Sequence, residues 1–262
     1  MPFQKFNNRN IHYTDAGHGK AIVLIHGFLE SLLIWKNFTK ALSEDYRVVT
    51  IDLPGHGKSE VIGEIQTMEL MAEMVHSILK SIDIHSCVMI GHSMGGFVTL
   101  AFAEKYPGML RGFGLFHSHA FEDTEEGKTN RIRSIGVVKK DKFSYLSMFL
   151  PALFSSEARV KYKKEIEQMI TEANKMTKEG IISCLEGMKI RPRRLHVLSK
   201  TKVPVLFIIG LQDIRFPVDQ AWEMIRLPKQ SRVLILREVA HMGYIEAPDE
   251  TLTAVSQFVE SL

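Results

Sequence analysis

A serine between small residues stands out in the stretch Gly91-His92-Ser93-Met94-Gly95. An apolar, strand-like run precedes it and a helical pattern follows it. A residue on so sharp a turn from strand to helix has a strained backbone, and its side chain projects beyond the end of the sheet. The free N–H groups of the helix N-terminus lie beneath that side chain. Ser93 is therefore predicted to be a nucleophile; the alternative is a glycine-rich turn whose serine only caps the helix.

A serine hydroxyl needs a base to accept its proton, and the base needs an acid that orients it. His241 follows the last apolar strand-like run, and Asp213 comes just after the preceding one. Both positions are loops at the carboxyl edge of a parallel sheet, where open α/β sheets place their sites. The order Ser93, Asp213, His241 is the nucleophile, acid and base order of hydrolases with a G-x-S-x-G turn. The alternatives are a solvated loop histidine and an ordinary turn aspartate, with Asp219 as the nearest competitor.

The negative charge that forms when a serine attacks a carbonyl needs fixed hydrogen-bond donors. The backbone N–H of Met94, directly after the nucleophile, is one candidate. The backbone N–H of Phe28 is the second, because His26-Gly27-Phe28 follows an apolar strand-like run and Gly27 lets the backbone turn toward the site. We expect the Phe28 ring to wall the pocket and His26 to bond loop backbone.

Two other motifs carry no function of their own. The segment Asp52–Ser59 ends like a phosphate-binding loop, but the first glycine of that motif is replaced by Asp52, so a turn-rich loop is predicted. His117 and His119 are the nearest approach to a metal-ligand pair, and they lack partners at ligand spacing. Neither a metal nor another cofactor is expected.

Strand-like runs alternate with helical patterns along most of the chain. The run Ala21–His26 is apolar throughout, as expected of a strand buried on both faces. Further predicted strands are Phe3–Phe6 and Asn10–Thr14 (a hairpin around Asn7-Asn8), Arg47–Ile51, Cys87–Gly91, Leu110–Phe116, Val205–Gly210 and Arg232–Leu236. Predicted helices are Leu32–Leu42, Met68–Ile82, Gly95–Lys105, Val218–Ile225 and Glu250–Leu262. This alternation predicts an α/β protein with a mostly parallel, doubly wound sheet flanked by helices.

Residues 120–200 interrupt the alternation, because they contain helical patterns and no convincing strand. One such pattern, Ala158–Met176, is predicted to bury a stripe of apolar side chains. The stripe comprises Val160, Ile166, Met169, Ile170 and Ala173. We therefore expect a helical cap at 120–200, inserted into a core made of 1–119 and 201–262. Most aromatic and methionine side chains of the cap are expected to pack it against the core. Some are expected to face Ser93 and form an apolar pocket that favours short- to medium-chain or aromatic esters over strongly charged ones.

Composition sets the remaining bounds. With 262 residues, of which 45% are hydrophobic and 24% charged, the chain suits one globular domain. Its net charge of +3 is too small to indicate a nucleic-acid surface. Neither a signal peptide nor a membrane span is expected, because no apolar run is long enough. Cys87 and Cys184 are too few to form a disulfide framework, so a reducing cytoplasm is the expected compartment. The protein is expected to be a monomer or homodimer, and its expected partner is a small-molecule substrate.

Taken together, these motifs resemble the α/β-hydrolase fold superfamily. They are His26-Gly27-Phe28, Asp52–Ser59, Gly91–Gly96, Asp213 and His241, and the resemblance covers nearly the whole chain. Within the superfamily, the sequence is most similar to small cytoplasmic carboxylesterases and enol-lactone hydrolases. The resemblance implies that Ser93 is the nucleophile, His241 the base and Asp213 its partner, with the amides of Phe28 and Met94 as oxyanion donors. It disfavours dehalogenase and epoxide hydrolase activity, because those enzymes carry an aspartate where this chain has Ser93.

The expected activity is hydrolysis of a carboxylic ester of a small, largely apolar substrate through an acyl-enzyme on Ser93. The same triad also serves C–C bond hydrolases, lactonases, thioesterases and perhydrolase-type haloperoxidases. A third possibility is a ligand-binding protein on this fold with an idle triad, since fold alone does not fix function.

Overall fold

The computed structural model describes residues 2–262, and its centre is an eight-stranded sheet. The strands are β1 (Phe3–Phe6), β2 (Arg9–Ala16), β3 (Ala21–Ile25), β4 (Arg47–Ile51), β5 (Cys87–His92), β6 (Leu110–Phe116), β7 (Val205–Gly210) and β8 (Ser231–Leu236). Their order across the sheet is β1-β2-β4-β3-β5-β6-β7-β8. From β4 to β8 all neighbours are parallel, whereas β1 and β2 pair antiparallel, so the predicted, mostly parallel sheet is confirmed.

The predicted hairpin between β1 and β2 also forms. Its turn residues, Asn7 and Asn8, have φ angles of 48° and 61°. Asparagine tolerates this left-handed conformation better than most residues, and two such residues in a row match the right-handed twist of a hairpin. The hairpin extends the sheet at one edge, far along the strand order from β7 and β8.

Twelve helices accompany these strands within residues 2–262. They are α1 (Lys36–Leu42), α2 (Met68–Ser81), α3 (Met94–Lys105), α4 (Glu125–Lys140), α5 (Lys142–Phe149), α6 (Ser156–Lys161), α7 (Lys163–Ala173), α8 (Lys178–Lys189), α9 (Leu195–Lys200), α10 (Val218–Ile225), α11 (Gly243–Glu246) and α12 (Pro248–Glu260). The buried residues of α1 and α12 share one apolar cluster with one face of the sheet. Those of α2, α3 and α10 belong to the cluster on the other face, as a doubly wound sheet requires.

Helices α4 to α9 lie between β6 and β7 in the chain, and we call them the helical insertion. Within the insertion, α4 packs against α5 and α8, and α5 packs against α7. Its buried side chains join the same apolar cluster as α2 and α3, so the insertion sits over one face and the adjoining edge of the core.

Two helices differ from their sequence prediction. Leu32–Leu42 begins as a 3-10 turn over Leu32–Trp35, and only then continues as α1. The predicted helix Ala158–Met176 is broken at Tyr162, where φ is −106° and ψ is 31°. The break rotates the first segment away from the buried stripe, so Val160 is 80% exposed rather than buried. Within residues 2–262, no helix has both the length and the hydropathy needed to cross a membrane.

Candidate active site

Ser93 occupies the turn between β5 and α3. Its backbone has φ 50° and ψ −116°, a conformation that costs free energy for a residue with a side chain. The flanking glycines make the turn possible because the neighbouring backbone is so close. A Cβ atom on Gly91 would lie 2.2 Å from the carbonyl oxygen of Gly95, and one on Gly95 would lie 2.3 Å from that of Ile25. The structure thus requires the small residues of the motif.

The side chains of Ser93, His241 and Asp213 meet at the carboxyl edge of the sheet. The Oγ of Ser93 lies 2.9 Å from Nε2 of His241, and Nδ1 of His241 lies 2.7 Å from Oδ2 of Asp213. Asp213 accepts a further bond from the Arg215 backbone N–H at 2.8 Å. Burial raises the pKa of Asp213, but the charge and hydrogen bond of His241 outweigh it, so the net shift is downward. The three residues predicted from separate strand ends form one hydrogen-bonded chain.

The two predicted oxyanion donors flank this serine. The loop after β3 approaches so closely that a Cβ on Gly27 would lie 3.1 Å from Cβ of Ser93. Within residues 2–262, neither the Phe28 amide nor the Met94 amide donates a hydrogen bond to another protein group. Two free backbone donors beside a serine hydroxyl are suited to a developing oxyanion. His26 is structural as expected, since Nδ1 faces the Gly27 carbonyl oxygen at 2.7 Å and Nε2 accepts from the Leu53 N–H at 2.9 Å.

A second buried histidine–carboxylate pair lies directly behind the triad. His92 Nδ1 is 3.0 Å from Glu30 Oε2, and His92 Nε2 is 3.0 Å from the carbonyl oxygen of His241. Glu30 also accepts from the Gly27 N–H at 2.5 Å and from the Tyr244 hydroxyl at 3.1 Å. Burial lowers the pKa of His92, but the charge and hydrogen bond of Glu30 outweigh it, and the net shift is upward. This network joins the loop that carries Gly27 and Phe28 to the loop that carries His241.

The two histidines of the rejected metal motif have different surroundings. His117 is buried beside the triad, with Nδ1 3.9 Å from Asp213 Oδ2 and no hydrogen-bond partner on either ring nitrogen among residues 2–262. Burial lowers its pKa well below the usual value, so His117 is neutral. His119 lies between the rings of Phe97 and Phe216. In the described part of the chain, no group of three or more potential ligands could hold a metal ion.

Above Ser93 lies a cavity of about 510 Å³. The helical insertion supplies part of its wall, including Tyr145, Phe149 and Met188, and the core supplies Phe28. Phe28 and Phe149 meet edge to face, with ring centroids 5.8 Å apart. The predicted apolar lining is therefore present near the serine. The cavity is not apolar throughout, because Arg131, Arg191 and Arg215 also line it.

Several residues of this site were not among those predicted from the sequence. Glu30 follows shortly after the His26-Gly27-Phe28 motif, and His92 lies inside the motif of Ser93, so both are adjacent to predicted site residues. Arg131 and Arg191 belong to segment 120–200, and Arg215 closely follows Asp213. Their spacing along the chain carries no signal, since they meet only through packing of the insertion against the β7–α10 loop.

The fold and site agree with a family comparison. A family model described as the alpha/beta hydrolase fold matches residues 20–248. The chain belongs to the α/β-hydrolase fold family, and it is a hydrolase of that fold. The resemblance seen in its motifs is thereby confirmed.

Three similar proteins illustrate the range of the family. An esterase from Thermogutta terrifontis has a TM-score of 0.91 and 28% identity, with 97% of this chain and 94% of that chain covered. An enol-lactonase from Burkholderia xenovorans LB400 has a TM-score of 0.91 and 23% identity, with 99% and 100% covered. A dihydrolipoyllysine-residue acetyltransferase component of the acetoin cleaving system of Pseudomonas putida is 28% identical over 239 residues, 88% of this chain. The chain spans only 61% of that relative's length.

Proposed function

We propose that the protein is a serine hydrolase that cleaves a carboxylic ester of a small, largely apolar substrate. The observation that carries the proposal is the hydrogen-bonded chain from Ser93 Oγ through His241 to Asp213, at 2.9 Å and 2.7 Å, beside two backbone amides without a protein acceptor. A serine, a base, an orienting acid and an oxyanion site are the components of acyl transfer.

In the first half-reaction, Nε2 of His241 takes the proton of Ser93 as Oγ attacks the substrate carbonyl carbon. The carbonyl electron pair moves to oxygen, where the amides of Phe28 and Met94 stabilise the negative charge. The tetrahedral intermediate then collapses. The ester C–O bond breaks, the proton on His241 passes to the leaving alcohol, and the acyl group remains on Ser93.

In the second half-reaction, His241 takes a proton from water, and the resulting hydroxide attacks the acyl carbon. The second intermediate releases Ser93, which recovers its proton from His241, and the carboxylic acid leaves. Asp213 stays ionised throughout, in keeping with its lowered pKa, and stabilises the transient imidazolium of His241.

The helical insertion is proposed to act as a cap, with 120–200 as the cap and 1–119 and 201–262 as the core. Support comes from the cavity, whose wall combines Tyr145, Phe149 and Met188 of the insertion with Phe28 and Ser93 of the core. Substrates would thus be held between the two parts. The esterase from Thermogutta terrifontis, similar over 97% of this chain, is consistent with an ester as the substrate.

A fluorophosphonate probe and a 4-nitrophenyl butyrate assay test this proposal. Wild type is expected to hydrolyse the ester and to be labelled on Ser93, whereas Ser93→Ala loses labelling and roughly 10⁴–10⁶-fold in kcat/KM. Ser199→Ala is the matched control, because Ser199 is exposed and its hydroxyl bonds only the His196 carbonyl oxygen, away from the cavity. Full activity in Ser93→Ala would end the proposal.

The same triad could act on other bonds, so a substrate panel accompanies the ester assay. Thioesters, lactones, vinylogous diketones and perhydrolysis with peroxide test the alternatives directly. A higher kcat/KM on any of these than on the best ester would replace the ester assignment and leave the role of Ser93 unchanged. Binding of esters without turnover would instead favour a non-catalytic binding protein.

We also infer a cytoplasmic location. Cys87 and Cys184 are both free and buried, and burial raises the pKa of Cys87 to about 12. Free thiols without a disulfide are typical of a reducing compartment. Cell fractionation with an antibody against the protein tests the inference, and recovery in a secreted fraction would contradict it.

A further inference from the structure

The lining of the cavity holds three guanidinium groups beside its aromatic side chains. Arg131 comes from α4, Arg191 follows α8, and Arg215 follows Asp213 in the β7–α10 loop. Each guanidinium carries five N–H donors and no acceptor, so the three groups together can bond many acceptor oxygens. The neighbouring side chains and carbonyl groups supply only a few such oxygens.

One carboxylate, Asp123, serves both Arg131 and Arg191. Arg131 donates to Asp123 through Nε and Nη2, and Nη1 of Arg191 lies 2.6 Å from Asp123 Oδ1. The remaining Nη1 of Arg131 has only the sulfur of Met188 within reach, at 3.5 Å, and thioethers are weak acceptors. Two cations therefore share one anion, which leaves an excess positive charge at this part of the lining.

Arg191 is held in place by its own surroundings. Its side chain is 3% exposed, its guanidinium lies 4.1 Å from the centre of the Phe97 ring, and Nη1 donates to the Met188 carbonyl oxygen at 2.8 Å. Its Nε is buried with no partner among the described residues. Burial lowers the pKa of Arg191 to about 10, which still leaves it charged near neutral pH. It fixes Asp123 and adds to the positive potential of the lining.

No carboxylate of the described residues lies within ion-pair distance of Arg215, although the charge of Asp213 acts on it from farther away. Within residues 2–262, its guanidinium makes no hydrogen bond or ion pair, and its recorded contact is with the face of Phe149, 4.6 Å from the ring centroid. Phe149 in turn packs on Phe28, next to Ser93. Arg215 thus places free donors at the lining of the cavity that contains the serine, on a side chain that is itself exposed.

The acidic residues of the cavity do not cancel these charges. Glu30 is engaged by His92, Gly27 and Tyr244. Glu122 and Glu126 line the cavity, but both are exposed, and neither forms an ion pair within the described chain. Among the described residues, the guanidinium of Arg215 and Nη1 of Arg131 therefore have no carboxylate oxygen as a partner.

We propose that this part of the lining is a carboxylate-binding subsite, so that the substrate is an ester with an apolar body and a carboxylate at its far end, held by Arg215 with support from Arg131. The inference rests on the proposed ester hydrolysis at Ser93 and specifies its substrate class. Guanidinium and carboxylate groups match in a planar, paired geometry. The apolar body would lie against Phe28 and Phe149. The expectation that strongly charged esters are disfavoured is thereby revised.

Two matched pairs of esters test the subsite, because the carboxylate can belong to the acyl or to the alcohol part. Mono-4-nitrophenyl glutarate is compared with 4-nitrophenyl pentanoate, and 4-acetoxybenzoate with phenyl acetate. Each pair differs mainly by one carboxylate distant from the scissile bond. In at least one pair, the anionic ester is expected to have a kcat/KM about 10–100-fold higher, through a lower KM, which is the range for a hydrogen bond to a charged group.

The variant Arg215→Gln removes the free guanidinium and keeps a polar side chain. It is expected to abolish the preference for the anionic ester, because kcat/KM falls about 10–100-fold more for the anionic ester than for the neutral one. Because Arg215 holds no ion pair in the described chain, the substitution leaves no buried carboxylate unpaired. Arg226→Gln makes the same change of net charge on an exposed residue outside the cavity, and is expected to keep the preference.

Calorimetry gives a readout that does not depend on turnover. Glutarate is expected to bind wild type at least about 10-fold more tightly than pentanoate, and to lose that advantage in Arg215→Gln. Equal binding of the two acids, combined with no anionic preference in either ester pair, overturns the subsite. An equal loss on anionic and neutral esters in Arg215→Gln also overturns it, because the residue would then act on the site generally.

The same measurements separate the two proposals. If wild type hydrolyses neutral esters with dependence on Ser93 but shows no preference for a carboxylate, the subsite fails and ester hydrolysis stands. If no ester is hydrolysed but glutarate still binds through Arg215, ester hydrolysis fails and the subsite stands.

Discussion

Two histidine–carboxylate pairs lie within one site of this protein, and they differ in what the second ring nitrogen faces. In both pairs Nδ1 points at a buried carboxylate, that of Asp213 for His241 and that of Glu30 for His92. Nε2 of His241 faces the Ser93 hydroxyl, which can donate a proton to it. Nε2 of His92 faces the carbonyl oxygen of His241, which can only accept.

That difference sets the hydrogen bonds that each ring can make. With a proton on Nδ1 alone, His241 can donate to Asp213 and leave Nε2 open to the Ser93 hydroxyl, as its proposed role as a base requires. His92 faces an acceptor at each nitrogen, and the upward pKa shift caused by Glu30 favours the imidazolium that can donate to both. In the proposed mechanism the first pair serves a charge that appears during the reaction, whereas the second pair serves a charge of the resting protein.

The largest effect is expected from His241→Gln, which is compared with His92→Gln to separate loss of activity from loss of stability. His241→Gln removes the base while its amide can still donate to Asp213, so kcat is expected to fall roughly 10⁴–10⁶-fold. The measurement is single-turnover hydrolysis of 4-nitrophenyl butyrate beside urea unfolding. The free energy of unfolding is expected to change far less than the activation free energy. Activity above about one hundredth of wild type would show that His241 is not the base.

The reciprocal substitution, His92→Gln, is expected to act mainly on stability. It leaves the buried Glu30 charge without its cation, a loss of about 3–5 kcal/mol in the free energy of unfolding. The folded fraction is expected to keep kcat within about 100-fold of wild type, because the triad remains. Urea unfolding and active-site titration with the fluorophosphonate separate the two quantities. A wild-type stability with a lost kcat would reverse the assignment.

The Glu30→Gln variant sharpens the comparison through pH. The pKa of His92 is raised from 6.5, so its contribution to stability is complete below that pH and is lost as pH rises toward the folded-state pKa. Burial raises the pKa of Glu30, but the charge of His92 outweighs this effect, and the net shift is downward from 4.5. The contribution of Glu30 to the free energy of unfolding is therefore complete above pH 4.5 and is lost as the pH falls toward the folded-state pKa. The difference in unfolding free energy between wild type and Glu30→Gln is therefore expected to be largest between these values. Urea titrations at about pH 5.5, 7 and 8.5 measure it; a difference that grows toward high pH would contradict the imidazolium.

The smallest effect is expected from Tyr244→Phe. The hydroxyl of Tyr244 donates to Glu30 Oε1 at 3.1 Å, one bond among several to that carboxylate. Removal of a single bond to a charged group costs about 1.5–3 kcal/mol, with little change in kcat. Tyr46→Phe is a suitable control, because the Tyr46 hydroxyl makes no hydrogen bond within residues 2–262. Equal losses in both variants would mean that the bond to Glu30 contributes nothing specific.

Much of the triad can be located from the sequence, for local reasons. Backbone oxygens lie only 2.2–2.3 Å from where a Cβ on Gly91 or Gly95 would be, so the turn requires glycine at both positions. This requirement falls on residues adjacent in sequence, and the motif can therefore be recognised without the structure. His241 and Asp213 each follow a predicted strand, and parallel strands bring their carboxyl ends to one edge. Their assigned roles in catalysis are still predictions, although the structure brings their side chains together.

The predictions were wrong where local pattern and tertiary packing disagree. The stripe of Ala158–Met176 has helical spacing, yet the helix breaks at Tyr162, whose hydroxyl donates to the Glu246 carbonyl oxygen in α11 of the core. The expectation of an apolar pocket followed from the many aromatic and methionine side chains in the insertion. Which of them face the cavity depends on packing, and Phe143 and Met148 are exposed.

The nucleophile turn, the alternating strands and the edge of the sheet where chemistry is expected are therefore readable from the chain alone, because each depends on contacts between near neighbours in sequence. The pairing of Glu30 with His92 and the meeting of Arg191 with Asp123 join residues tens of positions apart. Spacing carries no trace of such contacts, since they arise only when distant loops of the core, or distant helices of the insertion, pack together. The tertiary structure alone thus decided which histidine pairs with Glu30 and where the arginines of the cavity lie.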